Sequence, residues 1–260
     1  MDLVIIGNGF DIAHDLPCRY ADFRKYLEAT EDDGISFLEA LFPERTGEKL
    51  LLWCDFEEAI LYPDNAFLDD LLDGEEKEDI VIKAIQILFN KWIKEDVSYS
   101  QVEKLNPKHP FSKHLLKENI FLNFNYTDTL ERVYSIYDVL HIHGQAKYRD
   151  EMTNVKLIFG HRRVESDVPF IEMTEKPTND IISQNKRFFE RIKEKVDGEI
   201  VVMGLSCSEV DCPYISTINK CLPNHHWLFY YYDEDDVKRI IECIKNSGIP
   251  SENFRLEKAS

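Results

Sequence analysis

Apolar residues fall into two rhythms along this chain. Short, mostly apolar runs at 2–6, 120–124, 139–142, 155–159, 199–203 and 227–231 are rich in Val, Ile, Leu and Phe, and each gives way to a glycine or polar turn. Runs of this length without strict alternation fit strands buried on both faces. Between them the apolar positions recur at helical spacing. Val81, Ala84, Ile85, Leu88, Phe89, Trp92 and Ile93 predict an amphipathic helix from Ile80, and Ile181, Ile182, Phe188, Phe189 and Ile192 predict another over 179–196. Further helices are expected over 12–29, 210–222 and 236–246. Strands separated by helices of this length predict an α/β domain, with a mainly parallel sheet covered by helices on both faces. Residues 30–118 carry one strong helix and little strand signal. They read as a helical insertion within a single domain spanning 1–260.

Composition narrows the class. The 260 residues hold 49 acidic and 31 basic side chains, a formal net charge of −18. A surplus of that sign opposes nonspecific nucleic-acid binding, which needs a basic face to neutralise phosphates. With 43% hydrophobic residues the chain can build a core, so global disorder is excluded. No apolar run approaches the ~20 residues of a membrane span, and Met1-Asp2-Leu3 lacks the basic start of a signal peptide. Six cysteines, with no Cys-x-x-Cys pair, predict free thiols in a reducing cytoplasm. The set Cys207, Cys212, Cys221 and His225 does not have the spacing of a structural zinc site.

Ligands of open α/β sheets gather at the carboxyl ends of the strands. Four polar signatures stand at such ends: Gly7-Asn8-Gly9-Phe10-Asp11, Asn123-Phe124-Asn125-Tyr126-Thr127-Asp128, His141-Ile142-His143-Gly144, and Gly204-Leu205-Ser206 running on to Asp211. The first has the placement of a dinucleotide-binding turn, although Ile12 occupies the position of the third glycine. Asp11 is open to two readings, a cap on the following helix or an acceptor for a ribose hydroxyl. Asn125 can orient a water or a ribose hydroxyl without bringing charge, or serve as a turn residue. His143, beside a glycine at a strand end, is the candidate for proton transfer. His141 alternates with it and faces the other side of the sheet. A His-x-His metal site with His161 and Asp11 is the less favoured alternative, and no metal is expected. Neither a nucleophile elbow nor a phosphate loop with its Gly-Lys-Ser/Thr is present.

Several of these segments resemble the bacteriophage abortive infection AbiH family. The resemblance rests on residues 5–17 with Tyr20 and Phe23, on Trp53-x-Asp55-Phe56-Glu57, and on residues 124–131. It extends through His141-Ile142-His143-Gly144, Phe159-Gly160-His161 and Gly204-x-Ser206-x-Ser208-Glu209-Val210-Asp211. More distantly, the same order is similar to the sirtuin-type NAD-binding domains of phage-defence systems, which implies a Rossmann-like, sirtuin-like sheet. By that resemblance Asn125 and His143 are the catalytic residues, and Gly7, Gly9, Ser206 and Asp211 match nucleotide-contacting positions. Asn8, Phe10 and Asp11, in the same glycine turn, complete the expected nucleotide-contacting set. The implied activity is cleavage of the N-glycosidic bond of NAD or a related nucleotide after a phage-derived trigger, with a homo-oligomer left open. The chain departs from the sirtuin-type pattern at Thr127, where an aspartate is usual, and at Asp11, where a small residue is usual. Those departures motivate the rival expectation of a nucleotide-sensing or protein-binding module without turnover.

Overall fold

The apolar runs become six parallel strands. The computed structural model describes residues 1–43, 53, 55–71, 76–98, 100–146 and 157–259. Among them β1 (Leu3–Ile6), β2 (Ile120–Asn123), β3 (Val139–His141), β4 (Ile200–Met203), β5 (Trp227–Tyr231) and β6 (Phe254–Lys258) form one sheet in the order β3-β2-β1-β4-β5-β6. Every ladder is parallel. This is the doubly wound order of Rossmann-like sheets, in which the strand order reverses between β1 and β4. Ile6 stands opposite both Asn123 and Met203, and Asn123 opposite His141, so the carboxyl ends of four strands are level.

The helices in chain order are α1 (Asn8–Ala13), α2 (Tyr20–Ala29), α3 (Gly34–Leu41), α4 (Phe56–Ala59), α5 (Asn65–Leu71), α6 (Lys77–Trp92), α7 (Thr129–Tyr134), α8 (Pro169–Thr174), α9 (Thr178–Gln184), α10 (Lys186–Lys195), α11 (Cys212–Cys221) and α12 (Glu234–Asn246). The chain divides into two compact units. The first comprises Met1–Leu16, Gln101–His143 and Pro177–Ser260, and the second Pro17–Ser100 and Gly144–Lys176.

The first unit holds the sheet. Residues of β1, β2 and β4 are all buried. On one face Val4, Ile6, Phe121, Val201, Met203, Leu228 and Tyr230 form a single cluster with Phe10 of α1, Leu130 of α7 and Ile136. Among the later helices α10 packs on α11, α11 on α12 and α12 on β5. Asp233 caps α12 by accepting from the backbone N–H groups of Asp235 and Asp236 at 3.0 and 2.9 Å. Strand β6 has no apolar run to announce it. It is an edge strand whose Arg255 pairs with Glu199 and Glu257, and such charge discourages a further strand from adding.

The second unit is helical around an aromatic core. Phe89 of α6 lies 4.7 Å from the Phe23 ring and 4.9 Å from that of Phe56. The run at 155–159 is not a strand where it is described: 155 and 156 lie outside the described residues, and 157–159 carry no strand pairing. Its apolar side chains serve this core instead, with the Phe159 ring 5.6 Å from Phe56. Two predicted helices are broken. The one over 12–29 stops where Asp15 turns left-handed at φ 57°, just before Pro17, giving α1 and α2. That over 179–196 is interrupted at Asn185, whose side-chain amide donates back to the carbonyl of Ile181 at 2.8 Å.

Ile5, on the central strand and fully buried, tests this arrangement. Ile5→Ala should cost about 3–4 kcal/mol, because a rigid parallel sheet cannot collapse into the cavity. Urea unfolding followed by far-UV circular dichroism measures it, and a loss under about 1 kcal/mol would contradict the packing.

Candidate functional site

The turn after β1 lies directly against the end of β4. Gly7 N–H donates to Met203 O at 3.0 Å and Gly9 N–H to Gly204 O at 2.8 Å. A Cβ on Gly7 would fall 2.5 Å from Leu205 Cα, and one on Gly204 would fall 2.3 Å from Phe10 N. Gly204 also has φ +67°, a conformation that side chains oppose. Glycine is therefore demanded here by the approach of one backbone to another. Both turn N–H groups are spent on β4 rather than directed outward. The Gly9 carbonyl accepts from the Tyr232 hydroxyl at 3.0 Å. Asn8 opens α1 on the surface, whereas Phe10 is buried in the sheet's core cluster.

Asp11 is 1% exposed and forms the centre of a second contact. Its Oδ2 accepts from the Thr127 hydroxyl at 2.6 Å and from Asn125 Nδ2 at 3.1 Å, and its Oδ1 accepts from the Thr129 hydroxyl at 2.7 Å. Asn125 Nδ2 also donates to Gly7 O at 3.0 Å. The carboxylate thus ties α1 to the segment leaving β2. Burial pushes its pKa up to about 6, against the three donors, which pull it down. The charge of Arg132 also pulls it down, and desolvation of the fully buried carboxylate outweighs all of them.

The histidines separate, although β3 ends at His141 and His143 lies in the turn beyond it. His141 faces α7, with Nε2 2.8 Å from Glu131 Oε1 and Nδ1 3.1 Å from Asn125 O. His143, buried at the strand end, has Nε2 3.1 Å from the hydroxyl of Tyr214 on α11. The Phe124 ring stands edge-on to both rings, at 5.1 and 5.2 Å. After β4, Asp211 Oδ2 gathers the loop onto the start of α11. It accepts from the Ser206 hydroxyl at 2.8 Å and from Ser208 N and Oγ at 3.1 and 3.2 Å.

The nine expected site residues all lie in the first unit, on turns leaving β1, β2, β3 and β4. Gly7 and Asn125 are in direct contact, as are Asn125 and Asp11, and Ser206 and Asp211. His143 is joined to Tyr214 instead. His161 belongs to the second unit, where its ring nitrogens face the carbonyls of Arg162 and Ile171 at 2.5 and 2.9 Å. Among the described residues no group of three or more His, Cys, Asp or Glu side chains is placed to hold a metal ion. Cys54 lies outside the described residues.

Four participants escaped the sequence reading. Thr127 lies in the bend that leaves β2 and Thr129 opens α7, and no local pattern in the sequence points either of them at Asp11. Tyr214 and Tyr232 carry no mark in the sequence either.

Two expected outcomes follow from the contacts. Gly204→Ala should destabilise by about 3 kcal/mol or more, through the clash and the left-handed backbone together; a urea midpoint near that of the wild type would refute the contact. The second outcome concerns pH. A carboxyl whose pKa is raised by folding supports the fold fully below its unfolded value, 3.8, and loses that support as pH rises through about 6. Raising pH from about 4 to 7 should therefore remove roughly 2–3 kcal/mol of stability by way of Asp11. Asp11→Asn should lack that component, and equal pH slopes in wild type and variant would exclude it.

A model of the bacteriophage abortive infection AbiH family matches residues 3–231. No curated protein and no solved structure matches the chain. The match runs from β1 to the end of β5 and takes in the glycine turn, the Asp11 contacts, the His143 strand end and the Ser206–Asp211 loop. This chain belongs to the AbiH family of bacteriophage abortive infection.

Proposed function

We propose that the chain acts in phage defence by binding a nucleotide at the carboxyl edge of the sheet and, after a phage-derived trigger, cleaving the N-glycosidic bond of NAD or a related nucleotide. The observation that carries this reading is the level edge itself. Four chemically distinctive turns leave adjacent strands of a Rossmann-order sheet at its switch point, the place where such sheets take ligands.

In this mechanism the bond from ribose C1′ to the base nitrogen breaks, and its electron pair leaves with the neutral base. Water adds to the oxocarbenium-like carbon, and His143 takes the water's proton as general base. The Tyr214 hydroxyl, 3.1 Å from Nε2, fixes the imidazole ring. Asn125 positions the water or a ribose hydroxyl. Its amide nitrogen is held by Gly7 and Asp11, so the role falls to the amide oxygen. Holding these groups in place before the charge develops supplies the rate. The glycine turn, with Asn8, Phe10 and Asp11, and the Ser206–Asp211 loop flank the nucleotide. Repeated copies in a homo-oligomer are compatible with this role.

A second reading is a nucleotide-sensing or protein-interaction module without turnover. It is favoured by the inward use of Gly7 N–H, Gly9 N–H, Asp11 and Ser206, each bonded within the protein.

Mass-spectrometric metabolite profiling of phage-challenged cells separates the two. Wild type should deplete NAD, and His143→Ala should slow the depletion by about 100-fold or more. Asn125→Ala should do the same, with circular dichroism verifying that the loss of its bonds to Gly7 and Asp11 leaves the fold intact. Undiminished NAD loss in a folded His143→Ala protein would end the catalytic assignment. Thermal stabilisation of the purified chain by NAD without product formation would support the second reading.

A further inference from the structure

Three cysteines of the first unit meet beside the loop that follows β4. Cys212 is the first residue of α11 and Cys243 lies in the third turn of α12, with their sulfurs 3.0 Å apart. Cys207, within the loop, is a third thiol near enough to Cys243 to raise its pKa. It holds φ 52°, the left-handed region a residue with a side chain seldom enters without compensation. Cys207 and Cys243 are 3% and 1% exposed, while Cys212 is partly open to solvent. Other bonds already fasten the two helices at this point. The Ser247 hydroxyl donates to Cys212 O at 3.3 Å, and Asn219 Nδ2 donates to the carbonyls of Ser247 and Gly248 at 3.3 and 3.1 Å.

We propose that Cys212 and Cys243 are a reversible disulfide-forming pair, which on oxidation by a peroxide locks the start of α11, and with it the Ser206–Asp211 loop, to α12. The sulfurs need to close by about 1 Å to bond, a movement that side-chain rotation supplies between helices already held together. The Cys212 thiolate, the one solvent reaches, attacks one peroxide oxygen. The O–O bond breaks, and sulfenic acid and hydroxide result. The Cys243 thiol then attacks that sulfur, and the S–O bond breaks with loss of water. In sum two thiols are oxidised by two electrons and one peroxide is reduced to two waters. Cys207 is the third thiol within reach of Cys243, so thiol–disulfide exchange can move the bond between the loop and the helix start.

The pair is not tuned for speed. Each thiol is held protonated, Cys212 by its Cys243 partner and by burial, Cys243 by its Cys207 partner and by burial, outweighing any help from the helix start. Since the thiolate is the reacting form, oxidation should accelerate as pH is raised through the weakly alkaline range.

The test uses the full chain treated with hydrogen peroxide, alkylated and digested without reductant. A peptide linking Cys212 to Cys243, lighter than the two peptides together by two hydrogen atoms and released by a reductant, is expected to dominate. With Cys243→Ser the linked peptide should vanish, and Cys212 should be trapped as a sulfenic acid by dimedone. With Cys212→Ser the link should pass to Cys207 and Cys243. Cys212 and Cys243 that both remain alkylatable after Cys18 and Cys221 have been oxidised would overturn the proposal. So would separate sulfinic acids at Cys212 and Cys243 with no link between them. Serine replaces sulfur with little change of shape, and circular dichroism confirms the fold of each variant. The readout is sulfur chemistry alone, so it stands or falls independently of nucleotide turnover.

Discussion

At the switch point of the sheet two stretches of backbone touch with no side chains between them. Gly7 and Gly9, leaving β1, lie against Gly204, leaving β4, closely enough that any Cβ would overlap main-chain atoms. Hydrogen bonds from Gly7 and Gly9 seal the contact. The halves of a doubly wound sheet diverge here, and most such sheets leave a crevice. In this chain the Gly7 and Gly9 amides are taken up by the end of β4 and by Gly204, and Asn125 reaches the same turn through the carbonyl of Gly7.

Asp11 completes that constraint from below. Three hydrogen bonds to a charged acceptor are each worth roughly 1.5–3 kcal/mol, yet the raised pKa of the carboxyl shows that its desolvation outweighs them. The arrangement is costly for the fold and is retained by geometry. One carboxylate fixes α1, the amide of Asn125 and two threonine hydroxyls at once. The turn after β1 and the turn after β2 consequently move as one body. Asp211 does the same job on a smaller scale after β4, gathering two serines onto the start of α11.

The strands of the sheet's interior were legible because burial on both faces leaves an unbroken apolar run, as at Leu3–Ile6 and Trp227–Tyr231. The edge strand Phe254–Lys258 was not, since solvent on one side permits Arg255, Glu257 and Lys258. The run at 155–159 misled for the complementary reason. Apolar spacing reports that a segment is buried, not whether its partner is a strand or the rings of Phe56 and Phe89. Helix ends were blurred where periodicity survives a break, as at Asp15 and Asn185. At the site, the four signatures and their positions at strand ends were legible. Their partners were only partly so. Asp11 reads as a cap or as an acceptor for a ribose hydroxyl because its donors lie more than a hundred residues away, and no local pattern links position 11 to Thr127 and Thr129. Tyr214 meets His143 only because the β4–α11 crossover delivers it.

The spacing of the three donors to Asp11 has a consequence for how this protein can vary. Asn125 and Thr127 come from the bend that leaves β2 and Thr129 opens α7, so their common aim at the carboxylate depends on the length of that bend. Replacing one of them removes one bond and leaves the others. Inserting or deleting a single residue between β2 and α7 shifts and turns the start of α7 relative to α1 and takes Thr129 off the carboxylate. Natural variation in this segment should therefore run through substitution at fixed length, while changes in length are confined to surface loops elsewhere in the chain.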